Sequence, residues 1–278
     1  MLQTMWLQTV SLQTGLLQTG LLQTGLLQTV TTQTLLQLPI LVAFVGLLGG
    51  AIATASTRRQ LKSKSSQDWL LDLSGLWVQG IGVPLVQIAL MRPLWQCLLP
   101  AQQNCLQLPV LAALLLSFVG VDYVYYWNHR WLHSALWSVH QVHHTVTQMD
   151  TLGTSRNTLW ASLLIVYLWV HPLFLYVLAQ PIGYLLGVSV TAALDLWRHS
   201  PWTIAPNTWL YRGLSGWLIL PQDHAWHHSS ETIHCNYGAN LKLWDQLHGT
   251  YYDSDRSPSA IGIATPLTLT KKLLFPFP

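Results

Sequence analysis

No Asp, Glu, Lys or Arg occurs before Arg58, and the whole 278-residue sequence holds only 13 Lys and Arg against 10 Asp and Glu. At 8% charged, against about 25% in ordinary soluble domains, the composition argues against a soluble globular protein. A net charge of +3 also argues against a disordered chain or a nucleic-acid binder, both of which rest on an excess of charge. Cysteine is scarce too. Cys97, Cys105 and Cys235 form no CxxC pair and are too few for a disulfide scaffold. No G-x-G-x-x-G is present, and no flavin, ferredoxin or cytochrome segment is visible. What the sequence has instead is 51% hydrophobic residues, 15 Trp and 12 His, so that His outnumber Asp and Glu combined. A greasy chain rich in imidazole needs a reason for its imidazoles.

The uncharged runs come first. Leu35 to Ala55 is 21 residues long, close to the 20 or so that carry a helix across a bilayer core. Leu73 to Met91 is a second run, and the stretch from Leu106 to Val121 a third. Asn157 to Leu194 gives 38 uncharged residues broken by Pro172, Pro181 and Gly183, which reads as a two-helix hairpin. About five crossings result. Arg58, Arg59, Lys62 and Lys64 place the first connection on the cytoplasmic side, and 12 of the 13 basic residues then fall there, with Arg92 the exception. Trp202 to Leu220, apolar with Arg212 its one charge, is expected to lie along the surface.

Residues 1–34 differ in kind. Leu-Gln-Thr recurs at 2, 7, 12, 17, 22 and 27. A five-residue period turns a helix by about 500°, so the Leu side chains build no stripe. With no basic start it is not a signal peptide. It reads as a low-complexity extension, with a sixth helix as the alternative.

The histidines are gathered. His129 and His133 form H-x-x-x-H, His140, His143 and His144 form H-x-x-H-H, and His224, His227 and His228 repeat that second pattern. His199 lies between, at the end of the last uncharged run. On one helix the five from His129 to His144 would share an arc of about 100°. A single buried His is usually a satisfied core residue. Eight or nine at a membrane boundary are costly if charged and hard to satisfy if neutral, and a cation resolves both problems. A catalytic metal site takes about three protein ligands and a structural one four, so the number points to two metals. Imidazole suits iron, zinc, copper and nickel alike. Asp122, Asp195 and Asp223 are placed to orient ligand rings.

The run from Asp122 through His129 to His133, then Val139 to His144, resembles the fatty acid hydroxylase superfamily in its sterol desaturase branch. Pro221 to Ser229 is similar to that family's third histidine box, and Asn236 to Asp245 with Gly249-Thr250-Tyr251 to its C-terminal signature. The resemblance covers about Ser117 to Tyr252. It implies an all-α, multi-pass transmembrane bundle of four to five spans, with a cytoplasmic-side helical cap carrying the boxes. The chain then divides into the repeat (1–34), transmembrane helices (35–116), a catalytic domain (117–252) and a tail (253–278).

The resemblance further implies a non-haem di-iron oxygenase that uses O₂ to hydroxylate or desaturate a lipid C–H bond, in a sterol, fatty acyl, ether-lipid or carotenoid substrate. His129, His133, His140, His143, His144, His199, His224, His227 and His228 would be its ligands, with His234 and His248 as extra candidates at positions where the family has other residues. His171, mid-run beside Pro172, reads as structural. Arg156 resembles a family position and is open to two roles, pairing with an Asp or holding a lipid head group. The lipid would enter from the bilayer, and electrons would come from a separate ferredoxin or b-type cytochrome with its reductase. Two other classes compete: a b-type haem carrier and a divalent-metal transporter. The first needs isolated His within the spans and the second ligands at the bilayer midplane, where only His171 lies.

Overall fold

The structure, a computed structural model, describes residues 22–232 and 234–277, with side chains from Leu38 onward. It is helical, and among the described residues no strand forms beyond three isolated bridges. Helix α1 (Leu22–Ala53) turns by 94° into α2 (Ala55–Ser63). Helix α3 (Ser66–Leu98) and α4 (Val110–Leu132) are long and apolar enough to cross a membrane, and the bent α1–α2 pair makes a third by the same test. Helices α5 (Tyr167–Val177) and α6 (Ile182–Arg198) follow, then α7 (Trp209–Leu214), α8 (Pro221–His227), α9 (Lys242–Leu247) and α10 (Leu269–Leu274).

Local chemistry sets these bounds. Ser65 and Asp68 close a reciprocal cap, the Asp68 N–H donating to Ser65 Oγ at 3.1 Å and the Ser65 N–H to Asp68 Oδ2 at 3.3 Å. Helix α3 therefore starts seven residues before the uncharged run at Leu73 and outlasts it. Helix α4 likewise runs past Val121 to Leu132, which carries His129 to its last turn. Both helices contain π-helical turns, at Val78–Gly82 and Gln87–Met91 in α3 and at Leu116–Val121 in α4. The expected hairpin is less regular than two spans. Residues 157–166 are turns around a short 3₁₀ helix at Ala161–Leu164, and α-helix begins only at Tyr167, giving 11 and 17 residues in α5 and α6. The Leu-Gln-Thr copies at 22 and 27 belong to α1, without a break at residue 34; the four earlier copies lie outside the described residues. Leu and Gln are good helix formers, so the lack of an apolar stripe does not prevent a helix there.

Helix α6 packs against α1 and α4. Its approach to α4 depends on Gly183 and Gly187, one turn apart: a Cβ at Gly183 would collide with the Val110 carbonyl, and one at Gly187 would sit 2.8 Å from the Ser117 Cβ. This is the small-residue packing that lets membrane helices touch. Tyr184, Val121, Ala113 and Leu178 form the core at that contact. Outward, Leu41, Val42, Val45, Trp77, Leu85, Leu90 and Leu111 are all more than half exposed, the apolar exterior of a body that faces lipid. In α7, within the segment expected to lie along the surface, Trp209 is 79% exposed.

Candidate metal centre

The polar interior lies where the apolar helices end. His129 and His133 stand one turn apart at the end of α4, with His133 at the cap. The chain does not continue as one helix to His144. It turns at Ser134–Leu136, forms a helical turn at Trp137–His140, and tightens to a 3₁₀ turn at His143–Thr145. Neighbours in a 3₁₀ turn point about 120° apart, so the side chains of His143 and His144 leave the backbone in different directions, with their ring planes 88° apart. The five imidazoles therefore do not form the single arc expected of one helix. His129, His133, His140 and His144 meet His227, and His143 meets His199, His224 and His228. Within each group, one ring nitrogen per residue lies within 4.8 Å of all the others. All nine rings are buried.

Backbone carbonyls fix four of the rings. The Nδ1–H of His129 donates to Tyr237 O at 2.8 Å, that of His143 to Arg156 O at 3.1 Å, that of His199 to Asp195 O at 2.9 Å, and that of His227 to Cys235 O at 2.7 Å. A carbonyl only accepts, so each Nδ1 carries the proton and each Nε2 presents a lone pair. His143 Nε2 and His199 Nε2 then face each other at 3.3 Å with no proton between them. A cation between them removes the conflict. His133, His144, His224 and His228 have no hydrogen-bond partner on Nδ1, and His228 has none on Nε2 either. Buried nitrogen donors with free lone pairs, five in one group and four in the other, fit two metal ions of the kind that take neutral imidazole.

Protonation is the other way to satisfy such a cluster, and burial opposes it. Burial, then the neighbouring rings, holds His133, His140, His144, His224, His227 and His228 well below the ordinary histidine value, and His143 falls to about 3. His199 is lowered by burial against the opposing pull of Asp195. Unfolded histidines take up protons that these folded ones refuse, so metal-free protein is expected to lose stability as pH falls below about 6.5. Melting curves of chelator-treated protein between about pH 7 and pH 5 test this sign; a flat midpoint would contradict it.

Of the three acidic residues expected to orient the rings, Asp195 lies against His199, and Asp122 and Asp223 engage other groups. Asp122 accepts from the Asn240 and Leu241 N–H groups and from Trp244 Nε1, at 2.8, 3.1 and 2.8 Å, and so clamps the C-terminal signature to α4. Asp223 accepts from the Leu220 N–H at 2.8 Å and from Lys242 Nζ at 2.9 Å, rather than from His224. Asp195 pairs with Arg198 at 3.0 Å, and its Oδ1 lies 3.5 Å from His199 Nδ1. Arg156 pairs with Asp72 at 2.6 Å and Asp68 at 2.8 Å. Asp245 had no role assigned from sequence. It accepts from the Tyr237 and Gly238 N–H groups at 2.8 and 2.7 Å, and so sets the carbonyl that holds His129. Burial pushes its carboxyl up to about 6.

Beside the two groups lies a cavity of 320 Å³, lined by His129, His140, His143, His199 and His224 and by side chains of α1, α3, α4, α5 and α6. The rings are thus open to a molecule held among the apolar helices.

A family model described as fatty acid hydroxylase matches residues 114–250. This segment is a fatty acid hydroxylase domain. Its relatives include an ornithine lipid hydroxylase of Rhizobium tropici, 32% identical over 56% of this chain and 47% of that protein. The human alkylglycerol monooxygenase is 26% identical over 54% of this chain and 33% of its own length. A methylsterol monooxygenase of Arabidopsis thaliana is 28% identical over 51% and 48%. The chain therefore matches less than half the length of each. No solved structure matches it significantly.

The fatty acid hydroxylase domain includes eight of the nine clustered histidines in its three boxes, with His199 between them. It leaves three histidines apart, His171, His234 and His248. His248 stacks on Tyr126 at 5.1 Å and lies edge-on to Trp127 at 4.8 Å, and His234 is exposed, its ring 6.1 Å from that of His133. Neither belongs to the two groups. His171 donates to or accepts from Tyr184 Oη at 2.9 Å and lines the cavity.

Proposed function

We propose that this chain is a membrane-bound, O₂-dependent oxidoreductase that hydroxylates or desaturates a lipid C–H bond with two non-haem iron ions. The observation that carries the reading is the facing pair of lone pairs on His143 and His199 within nine buried imidazoles. His129, His133, His140, His144 and His227 would hold one ion, and His143, His199, His224 and His228 the other. Bound there, iron supplies the activation of O₂ and the oxidation of an unactivated C–H bond. This chain's own residues do the rest. The carbonyls of Tyr237, Arg156, Asp195 and Cys235 keep four ring lone pairs aimed inward. The apolar walls of the cavity take a lipid from the bilayer and exclude water from the reacting carbon.

Relatives named for an ornithine lipid, an alkylglycerol and a methylsterol support a lipid substrate. Four or five crossings, with α5 and α6 as a short hairpin, put the histidines at the cytoplasmic face by the positive-inside rule. Electrons come from a separate ferredoxin or b-type cytochrome with its reductase. A haem would need opposed pairs of His, and groups of five and four do not provide that arrangement.

Metal analysis of the purified full chain tests the reading. About two irons per chain and no haem absorption band are expected, and lipid profiles of cells with and without the gene should differ in an oxidised lipid. A haem band, or protein that takes up no iron, overturns it.

A further inference from the structure

The segment after Tyr252 lies outside the family match, which ends at residue 250, and carries none of the nine clustered histidines. It nevertheless runs between the second and third boxes. Ile261 pairs with Ser229 in an antiparallel bridge. The next N–H, that of Gly262, donates to His228 O at 2.7 Å, and that of Ile263 donates to His144 O at 2.9 Å. His144 belongs to the five-histidine group and His228 to the four-histidine group, and their rings stack at 4.5 Å where the groups meet. Among the described residues no backbone hydrogen bond joins 137–146 directly to 221–229. Two consecutive amides of the strap make that connection.

The turn is built for this place. Gly262 has a φ of 85°, in the left-handed region that favours glycine, and a Cβ there would collide with the Val146 carbonyl. Both ends of the strap are tied. Upstream, Ser259 donates through its N–H and its Oγ to Glu231 Oε1, each at 2.7 Å. Downstream, Thr265 Oγ1 donates to Gln141 Oε1 at 3.3 Å, and Gln141 Nε2 donates to Pro276 O at 3.4 Å. Gln141 itself stands between His140 and His143. Two cations in adjacent groups repel one another, more strongly in a buried site than in water. A ligand ring fixes its own ion but not the distance to the other group. Neutral N–H donors on one short turn supply that restraint without adding a ligand or a charge.

Resting on the two-ion reading above, we infer that the Gly262–Ile263 turn is a clasp that sets the spacing of the two histidine groups. Gly262 and Ile263 are then positioning residues for the metal centre, supplied by chain outside the fatty acid hydroxylase domain.

The full chain in nanodiscs tests this with cobalt(II), a divalent ion that imidazole ligands accept and whose spin reports on a neighbouring ion. In the native chain, hydrogen exchange across 257–268 should slow on cobalt loading, although the segment holds no clustered histidine. Ile263→Pro removes the N–H that reaches His144, and Ile263→Val keeps it. In metal-free Ile263→Pro, exchange around both His144 and His228 should rise by about two- to tenfold, the worth of one backbone hydrogen bond, with α5 unchanged. The loaded variant should still bind cobalt but lose the spin coupling that the native chain and Ile263→Val show between their ions. A strap that serves stability alone would alter melting and leave the coupling as it was. That outcome, or exchange across 257–268 that ignores cobalt, overturns the inference; the native-chain measurement decides it even where Ile263→Pro does not fold. A native chain that takes up fewer than two cobalt ions overturns the two-ion reading instead, and exchange in metal-free Ile263→Pro then decides the clasp by itself.

Discussion

His227→Ala is expected to empty the five-histidine site, and His143→Ala the four-histidine site, each leaving protein that oxidises no lipid. The two residues are chosen because their rings are already fixed. His227 Nδ1 donates to Cys235 O and His143 Nδ1 to Arg156 O, at 2.7 and 3.1 Å, so each contributes a lone pair that no other residue can replace without moving backbone. Removing His143 also leaves His199 Nε2 without the ring it faces at 3.3 Å. Iron analysis separates the sites: about one ion per chain in either variant, against about two in the parent. The effect on turnover should exceed the 10- to 100-fold typical of losing an outer partner of a metal ligand, because a ligand itself is lost. Tyr237 is the contrast. Its contribution to His129 is a carbonyl, which Tyr237→Phe retains, so that variant is expected to keep both ions. Full activity in His227→Ala or His143→Ala would remove the basis for a two-ion centre.

That the histidines act together was legible from residue type and spacing, because few arrangements satisfy nine imidazoles at the end of apolar helices. Which histidines share a site was not. Spacing on one helix would group His143 with His144, and the 3₁₀ turn separates them. The carbonyls that set the tautomers leave no mark in the sequence, since every residue has one. Tyr237 and Cys235 reach their rings only because Asp245 and Asn236 shape the loop that carries them, Asn236 adopting a positive φ of 53° and donating to Asp223 O and Tyr252 O. Charge-free runs located the apolar helices but not their ends. The thickness of the apolar stretch is written in side chains, whereas helix ends follow caps such as Ser65–Asp68 and breaks such as the turns of 157–166. The pairing partner of Arg156 was open for the same reason. Asp72 lies 84 residues earlier, and only the fold brings it near.

Asp72→Ala is expected to lower the melting temperature by about 10 °C or more. Asp72 is fully buried and pairs with Lys64 Nζ at 2.5 Å and Arg156 Nε at 2.6 Å. Lys64 also reaches Asp150 at 2.7 Å, and Arg156 reaches Asp68 at 2.8 Å. The network ties the α2–α3 connection to the segment after the second histidine box. Helix α3 comes so close here that a Cβ on Gly75 would collide with the Ser155 carbonyl. Without Asp72, two buried cations lose their shared partner, and breaking a buried pair this way costs about 3–5 kcal/mol. The damage is directional. The Arg156 carbonyl holds His143, so displacing Arg156 should weaken metal at the four-histidine site before the five-histidine site. Iron titration resolves this: relative to the parent, one affinity unchanged and one weakened in Asp72→Asn, which keeps the volume and removes the charge. Arg256→Ala breaks an exposed pair with Glu231 and is expected to change neither melting nor metal. Equal loss at both sites would mean that Asp72 supports the fold alone, and an unchanged melting curve that its charge is not needed.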